Sequence, residues 1–287
     1  MNDLNKIVIV AGPTATGKTS FAIELAKKLN GELISADSRQ IYKYLNIGTN
    51  KGNLDCINGQ SFIENVKIHL VDFLEPDKAF NVFEWNSLAV AKIEELLAQE
   101  ITPIVVGGTG LYIDSLIKKY DYSTPYKLDT GLRNLLIEVD TSNLLEMQNW
   151  FSKFMPSLWA SFNASDRGNP RRLQRMVVKL LEDENEIHQI NKVYDYIMYY
   201  PKFDWEELKT RIESRVDEMF KYGLVEEPMK ILAMGYSKNS AGLNVMGYKE
   251  ILKYIEGLLS LEDAKSLLKV AHKQYARRQR TWFEGDG

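Results

Sequence analysis

The sequence predicts an α/β protein: a P-loop-type parallel sheet flanked by helices, with a mostly helical insertion domain. Three observations predict it. Short apolar runs alternate with helical periodicity over residues 1–120, and strand–helix alternation with short turns builds a parallel sheet covered on both faces. The turn between the first such strand and the first such helix reads "GPTATGKT" (Gly12–Thr19), which has the G-x-x-x-x-G-K-[ST] spacing of a phosphate-cradling loop. From Tyr120 the alternation stops, and helix-like segments carrying Trp150, Phe151, Phe154 and Trp159 run on to about Pro201.

Taken along the chain, "KIVIVAG" is a buried-strand pattern, and "KTSFAIELAKKL" has helical periodicity that ends at Asn30-Gly31. "GELISAD" reads as a second strand with Asp37 and Ser38 at its C-terminal end, and "NVKIHLVDF" reads as a third. Residues 82–99 predict a helix, and "TPIVVGGTG" is a strand running into a glycine-rich turn. In open α/β sheets ligands gather at the C-terminal ends of the strands. The phosphate loop, Asp37 and "GGTG" all fall there. From Trp205 the chain is helical again; "WEELKTRIESRVDEMFKYG" carries an amphipathic stripe, stops at Gly223, and is followed by two or three more helices. The expected division is a core of residues 1–120 and 201–287 around a helical insertion of residues 121–200.

The bulk properties narrow the class. An apolar fraction of 45% and a charged fraction of 26% over 287 residues are ordinary for a soluble globular chain. No apolar run approaches the ~18 residues that span a bilayer, so no membrane partner is expected. Cys56 is the single cysteine, which excludes an internal disulfide and suits a cytoplasmic setting. His69, His188 and His272 show no metal-ligand spacing, so any metal is expected to be a hard ion carried on a phosphate. The net charge of −3 hides two basic clusters. Arg171, Arg172, Arg175 and Lys179 form one; Lys273, Arg277, Arg278 and Arg280 form the other. Solvated helix faces would explain either cluster alone, and two on an acidic chain suggest localised phosphate contact.

In the phosphate loop, Gly12, Thr14, Ala15, Thr16 and Gly17 supply backbone N–H groups and a helix N-terminus for the anion. Lys18 neutralises it, and the Thr19 hydroxyl can ligate Mg²⁺. ATP is one ligand such a loop takes, although the strand "PIVV" ends in glycines where many nucleotide hydrolases place a Mg²⁺-binding Asp. Asp72 could serve there, or could be an ordinary strand-end turn residue. Asp37 is equally open. A carboxylate facing phosphates suggests proton chemistry, and helix capping at "ADSRQIY" would also explain it.

Together these blocks resemble the tRNA dimethylallyltransferase family. The resemblance runs nearly end to end, through "GPTATGKT", "ISADSRQIYKYLNIGTNK", "IHLVDFLEP", "PIVVGGTGLYIDSL", "NPRRLQR", "RIESRVDEMFKYGLVEE", "MGYKEI" and "YARRQRTWF". It implies transfer of the dimethylallyl group from dimethylallyl diphosphate to the exocyclic amine of the adenine 3′ to a tRNA anticodon, with diphosphate as leaving group and Mg²⁺ as cofactor. By the family's pattern Asp37 is the base, and Thr109 hydrogen-bonds near the reacting centre. An arginine of "RIESR" stabilises the leaving group, with Arg211 the first choice and Arg215 the second. The anticodon stem-loop is expected to meet Asp37, Ser38, Arg39 and Gln40 at the target base, Arg171, Arg172 and Arg175 on its backbone, and Lys249 of "MGYKE". The chain is expected to act as a monomer. It departs from the family in having His272-Lys273 where a Thr-Arg pair is common, and "EGDG" where a basic tail is common. Two other enzyme classes carry the same loop: a prenyltransferase acting on free adenine nucleotides, and a small-molecule kinase. A third possibility is a phosphate-loop RNA-binding protein without catalysis.

Overall fold

The structure is a computed structural model that describes residues 6–121, 126–181, 189–190 and 192–285. His188 and the last two residues of the acidic tail lie outside the described residues. In chain order the elements are β1 (Lys6–Ala11), α1 (Lys18–Leu29), β2 (Gly31–Ala36), β3 (Leu54–Ile57), β4 (Gln60–Ile63), β5 (Val66–His69), α2 (Val82–Ala98), β6 (Thr102–Gly107) and α3 (Gly110–Ile117). Then come β7 (Tyr120–Asp121), α4 (Thr130–Ile137), α5 (Leu144–Phe154), α6 (Pro156–Ser161), α7 (Ala164–Arg167), α8 (Pro170–Leu181) and β8 (Gln189–Ile190). The chain closes with β9 (Asp195–Tyr199), α9 (Trp205–Lys221), α10 (Glu226–Ala233), α11 (Tyr248–Ile255) and α12 (Leu261–Glu284).

A seven-stranded sheet in the order β3-β4-β5-β2-β6-β1-β9 forms the centre of one compact unit, residues 1–119 and 192–287. The four central pairings, β5-β2, β2-β6, β6-β1 and β1-β9, are parallel, and the β3-β4-β5 edge is antiparallel. Ala22, Ile23 and Ala26 of α1 pack with Val8, Val10, Leu33, Ile104 and Val106 of the strands. Buried apolar side chains on neighbouring parallel strands, with helices to cover them, are what the continuous apolar runs require. The helix α2 begins with a capping box, Asn81 with Glu84, and its Trp85 donates from the indole N–H to the Ser35 carbonyl at 3.1 Å. The C-terminal helices gather round a further cluster that includes Ile41, Tyr42, Leu45, Val216, Leu224, Tyr248 and Leu268.

Three strands depart from expectation: the β3-β4 hairpin and β9. The β3-β4 hairpin turns at Asn58-Gly59, both at positive φ (52° and 75°), as a two-residue hairpin turn demands. Asp195–Tyr199, expected inside the helical insertion, forms β9 and pairs parallel with β1. The second compact unit therefore runs from Tyr120 to Asn191 and returns nine residues earlier than the sequence boundary of 200 suggested. The reason is that Tyr196, Ile197 and Met198 satisfy the open edge of β1 with backbone hydrogen bonds, which no helical pattern reveals. This second unit has helices α4 to α8, a short antiparallel β7-β8 pair, and its own core of Met147, Trp150, Phe151, Leu158, Leu173, Val177 and Leu180.

Candidate active site

The register of the sheet sets the site. Ala11 and Ala36 both lie level with Gly107, so three strands end side by side. Their next residues are the phosphate loop, Asp37 and Gly108-Thr109. Gly17 enters α1 at φ 81° and offers no side-chain cap. The first N–H groups of the helix are therefore left to an anion. The Lys18 ammonium reaches the Pro13 carbonyl at 3.1 Å. Burial pushes its pKa down to about 8; Asp37 opposes this, while Arg215 and Arg39 add to it. The Thr16 hydroxyl donates to the same carbonyl at 2.8 Å, so the loop is braced from within.

Asp37 is buried, and its Oδ1 accepts the Arg39 backbone N–H at 2.9 Å. Residues 38–40 form turns rather than a helix, so Asp37 caps no helix. The Arg39 guanidinium lies over the Tyr275 ring of α12, 4.2 Å from its centroid, with its Nε 3.6 Å from Asp37. Thr109 joins the loops after β6 and β2: its Oγ1 accepts the Ser38 N–H at 3.1 Å and stands 3.4 Å from the Ser38 hydroxyl. Gln40 braces the neighbouring loop by donating to the Asn50 carbonyl at 2.9 Å.

The two arginines of α9 are placed differently. Arg211 is half-exposed and pairs with Glu207 at 2.5 Å along the helix. Arg215, one turn on, lines the pocket with Lys18, Thr19, Asp37 and Arg39, and it donates to the Thr14 hydroxyl at 3.1 Å. Burial lowers its pKa. Leu208 and Ile212 of α9 pack with Ala15 of the phosphate loop, but four residues along a helix rise about 6 Å, and it is Arg215 and Met219, not Arg211, that line the pocket. A shared face did not make the two positions equivalent.

The helix α12 straps the site. Gln279, buried, accepts the Thr14 N–H at 2.9 Å and donates to the Gly108 carbonyl at 2.9 Å. A Cβ on Gly108 would stand 2.0 Å from that amide, so only glycine allows the approach. Sequence reasoning missed this role, and it missed the pocket loop Gly48–Asn53 and His272. It also missed Glu227, a buried carboxylate that accepts the backbone N–H groups of Asn46, Ile47 and Gly48 at 2.6, 2.8 and 3.1 Å and the Tyr248 hydroxyl at 2.5 Å. The block "YLNIGTNK" was the available signal for that loop; nothing local points to Glu227.

For a metal, the described residues contain no cluster of three or more His, Cys, Asp or Glu side chains. Asp72 is spent on the buried Lys51 ammonium, so it is not available to hold a metal in the pocket. What remains is the Thr19 hydroxyl beside an uncapped helix N-terminus, a donor set that fits Mg²⁺ arriving with phosphate oxygens.

The sequence model of the family described as IPP transferase matches residues 40–286. This chain belongs to the IPP transferase family. The tRNA dimethylallyltransferase of Alkaliphilus oremlandii is 39% identical over 288 residues, covering 97% of this chain and 88% of that protein. Its counterpart in Staphylococcus saprophyticus is 37% identical, covering 99% and 90%. Among solved structures, the full-length tRNA isopentenylpyrophosphate transferase of Bacillus halodurans matches with a TM-score of 0.69 at 32% identity, over 98% of this chain and 87% of that one. A eukaryotic dimethylallyltransferase acting on tRNA matches with a TM-score of 0.76 at 28% identity, over 97% and 69%. The resemblance and the fold class expected from the motifs both hold.

The residues expected to grip RNA are more scattered. Arg171 and Arg175 are exposed on α8, and Arg172 beside them is paired with Asp166. Lys249 is half-buried on α11 and does not line the pocket. Of the second basic cluster, Arg277 and Arg278 are exposed, Lys273 pairs with Glu213, and Arg280 lies over the Trp205 ring. No helix among the described residues is long and apolar enough to cross a membrane.

Proposed function

We propose that this protein transfers the dimethylallyl group of dimethylallyl diphosphate to the exocyclic N6 amine of the adenine 3′ to the anticodon in tRNA, releasing diphosphate. One observation carries the reading furthest: the level strand ends put the buried Asp37 carboxylate in the same pocket as Lys18, Arg215 and the uncapped start of α1. A carboxylate among phosphate-binding groups suits a reaction in which a nucleophile loses a proton while an anion departs. The allylic C–O bond breaks as the bond from carbon to N6 forms. The N6 proton passes to Asp37, and the bonding electrons leave with the diphosphate. Lys18, Arg215 and the loop N–H groups stabilise the charge that builds there. Thr19 would hold Mg²⁺ together with phosphate oxygens, and that ion would neutralise part of the diphosphate charge. Thr109 keeps the Ser38–Gln40 turn in place beside the reacting amine. The adenine must leave its stack to reach a buried carboxylate, which a single-stranded anticodon loop makes less costly.

The test is mass spectrometry of an unmodified tRNA incubated with the protein, Mg²⁺ and dimethylallyl diphosphate. One added C₅H₈ on the anticodon-adjacent adenine is expected. Prenylated AMP in a parallel reaction, with tRNA untouched, would move the acceptor to a free nucleotide. Prenylation of neither would refute the transfer.

A further inference from the structure

His272 lines the pocket, and the reaction above has no use for it. It sits on α12, 4% exposed, and lines the same cavity as Lys18, Asp37, Arg39 and Arg215. Its Nε2 is buried without a hydrogen-bond partner among the described residues. An imidazole of the core would normally have both ring nitrogens satisfied, because a buried unpaired polar atom costs about 1–3 kcal/mol. An unpaired atom at the wall of an anion pocket has a natural partner in the anion.

The charges around it tell the same story. Arg39 faces it from the turn after β2 and Arg215 from α9, while Lys18 and Asp37 share the cavity. Tyr275 lies one turn further along α12, under the Arg39 guanidinium. The neighbouring basic residues of α12 point elsewhere: Lys269 pairs with Asp217, and Lys273 with Glu213. Burial, reinforced by the two guanidinium groups, pushes His272 down to about 3, so the ring is neutral in the empty site. A diphosphate brings multiple negative charges to the same wall and reverses the sign of that field.

We propose that His272 contacts the donor's diphosphate through Nε2 and takes up a proton when that diphosphate is bound, becoming a further cation of the pocket. The inference rests on the diphosphate reading of the site. The proton comes from solvent as the anion binds and returns to it when the product diphosphate leaves, so no bond beyond N–H is made or broken. A group charged only in the presence of the anion strengthens leaving-group stabilisation without adding a fixed repulsive charge to the empty pocket.

The experiment is nitrogen NMR of the full-length protein labelled with ¹⁵N-histidine, titrated at about pH 7 with inorganic diphosphate and Mg²⁺. Calorimetry measures binding of the same ligand in parallel. His69→Asn and His188→Asn variants assign the remaining ring signal. Expected is conversion of the His272 signal from a neutral tautomer to imidazolium, with the other histidines unmoved. Binding by calorimetry with His272 still neutral would overturn the proposal and leave the diphosphate pocket standing. No binding at all would overturn both. His272→Asn is further expected to weaken diphosphate affinity about 10–100-fold near neutral pH, the range for a hydrogen bond to a charged group, with the gap closing as pH rises. An equal affinity for variant and parent at all pH values would equally sink it.

Discussion

At Lys18 the burial that strengthens its pull on an anion also sets a pH limit. Its pKa is pushed down to about 8, so the ammonium is charged below that pH and neutral above it. Affinity for inorganic diphosphate is therefore expected to fall as pH rises through 8, with proton uptake visible on binding; a flat profile to about pH 9.5 would contradict this. Between 8 and the unfolded value near 10.4, the unfolded chain binds more protons, so stability rises with pH there and the cost is fully present at neutral pH. Lys18→Met is accordingly expected to hold or raise the Tm at about pH 7 while diphosphate binding is lost. The two arginines of α9 give a paired test. Arg215→Ala should weaken diphosphate binding by about 10-fold or more, whereas Arg211→Ala, which removes only an exposed pair, should change it less than about twofold. A larger effect at Arg211 would restore the order the sequence suggested. Asp37→Asn is expected to slow single-turnover transfer by about 10²–10⁴-fold, with tRNA affinity within a few-fold of the parent. Wild-type turnover in that variant would remove Asp37 as base.

At the scale of elements, α12 does for the site what no strand does. Its Gln279 ties the phosphate loop to the turn after β6, and its Trp282 indole donates to Asp114 on α3 at 3.1 Å. Gln279→Leu would leave the half-buried Thr14 N–H and the buried Gly108 carbonyl without this partner, and a loss of about 1–3 kcal/mol in stability is expected. Diphosphate affinity should fall with it, because Thr14 anchors Arg215. A variant with unchanged Tm and affinity would show that the strap is incidental. These links were beyond sequence reasoning for a definite reason. Gln279 and Thr14 are 265 positions apart, and no periodicity within α12 marks which polar residue turns inward. The β3-β4 hairpin is a different case: Asn58-Gly59 is a local turn signal with a known geometry, and the sequence reading passed over it.

For the whole molecule, a net charge of −3 means that the proposed tRNA contact must rest on local basic patches. The exposed Arg171 and Arg175 of the second unit are an isolated basic patch, while Arg172 and Lys273 are engaged in ion pairs. Affinity for tRNA is expected to fall with salt as counterions are released, and a double Arg171→Ala, Arg175→Ala variant should lower that slope by about one to two while leaving diphosphate affinity alone. An unchanged slope would remove α8 from the RNA contact.

The α/β class, the phosphate loop, and the alignment of Asp37 and "GGTG" at strand ends were legible because each depends on local pattern: apolar runs of strand length, glycines at fixed offsets, and the rule that ligands gather where parallel strands end. The resemblance to a family added the reaction. Tertiary structure decided which of two helical neighbours faces the pocket, that Asp72 serves a buried lysine, and that residues 195–199 complete the sheet. It also brought Glu227, Gln279 and His272 to the site from the far end of the chain. Local pattern records what a residue can do, and only packing between distant segments decides which groups are buried, paired, or left for a ligand.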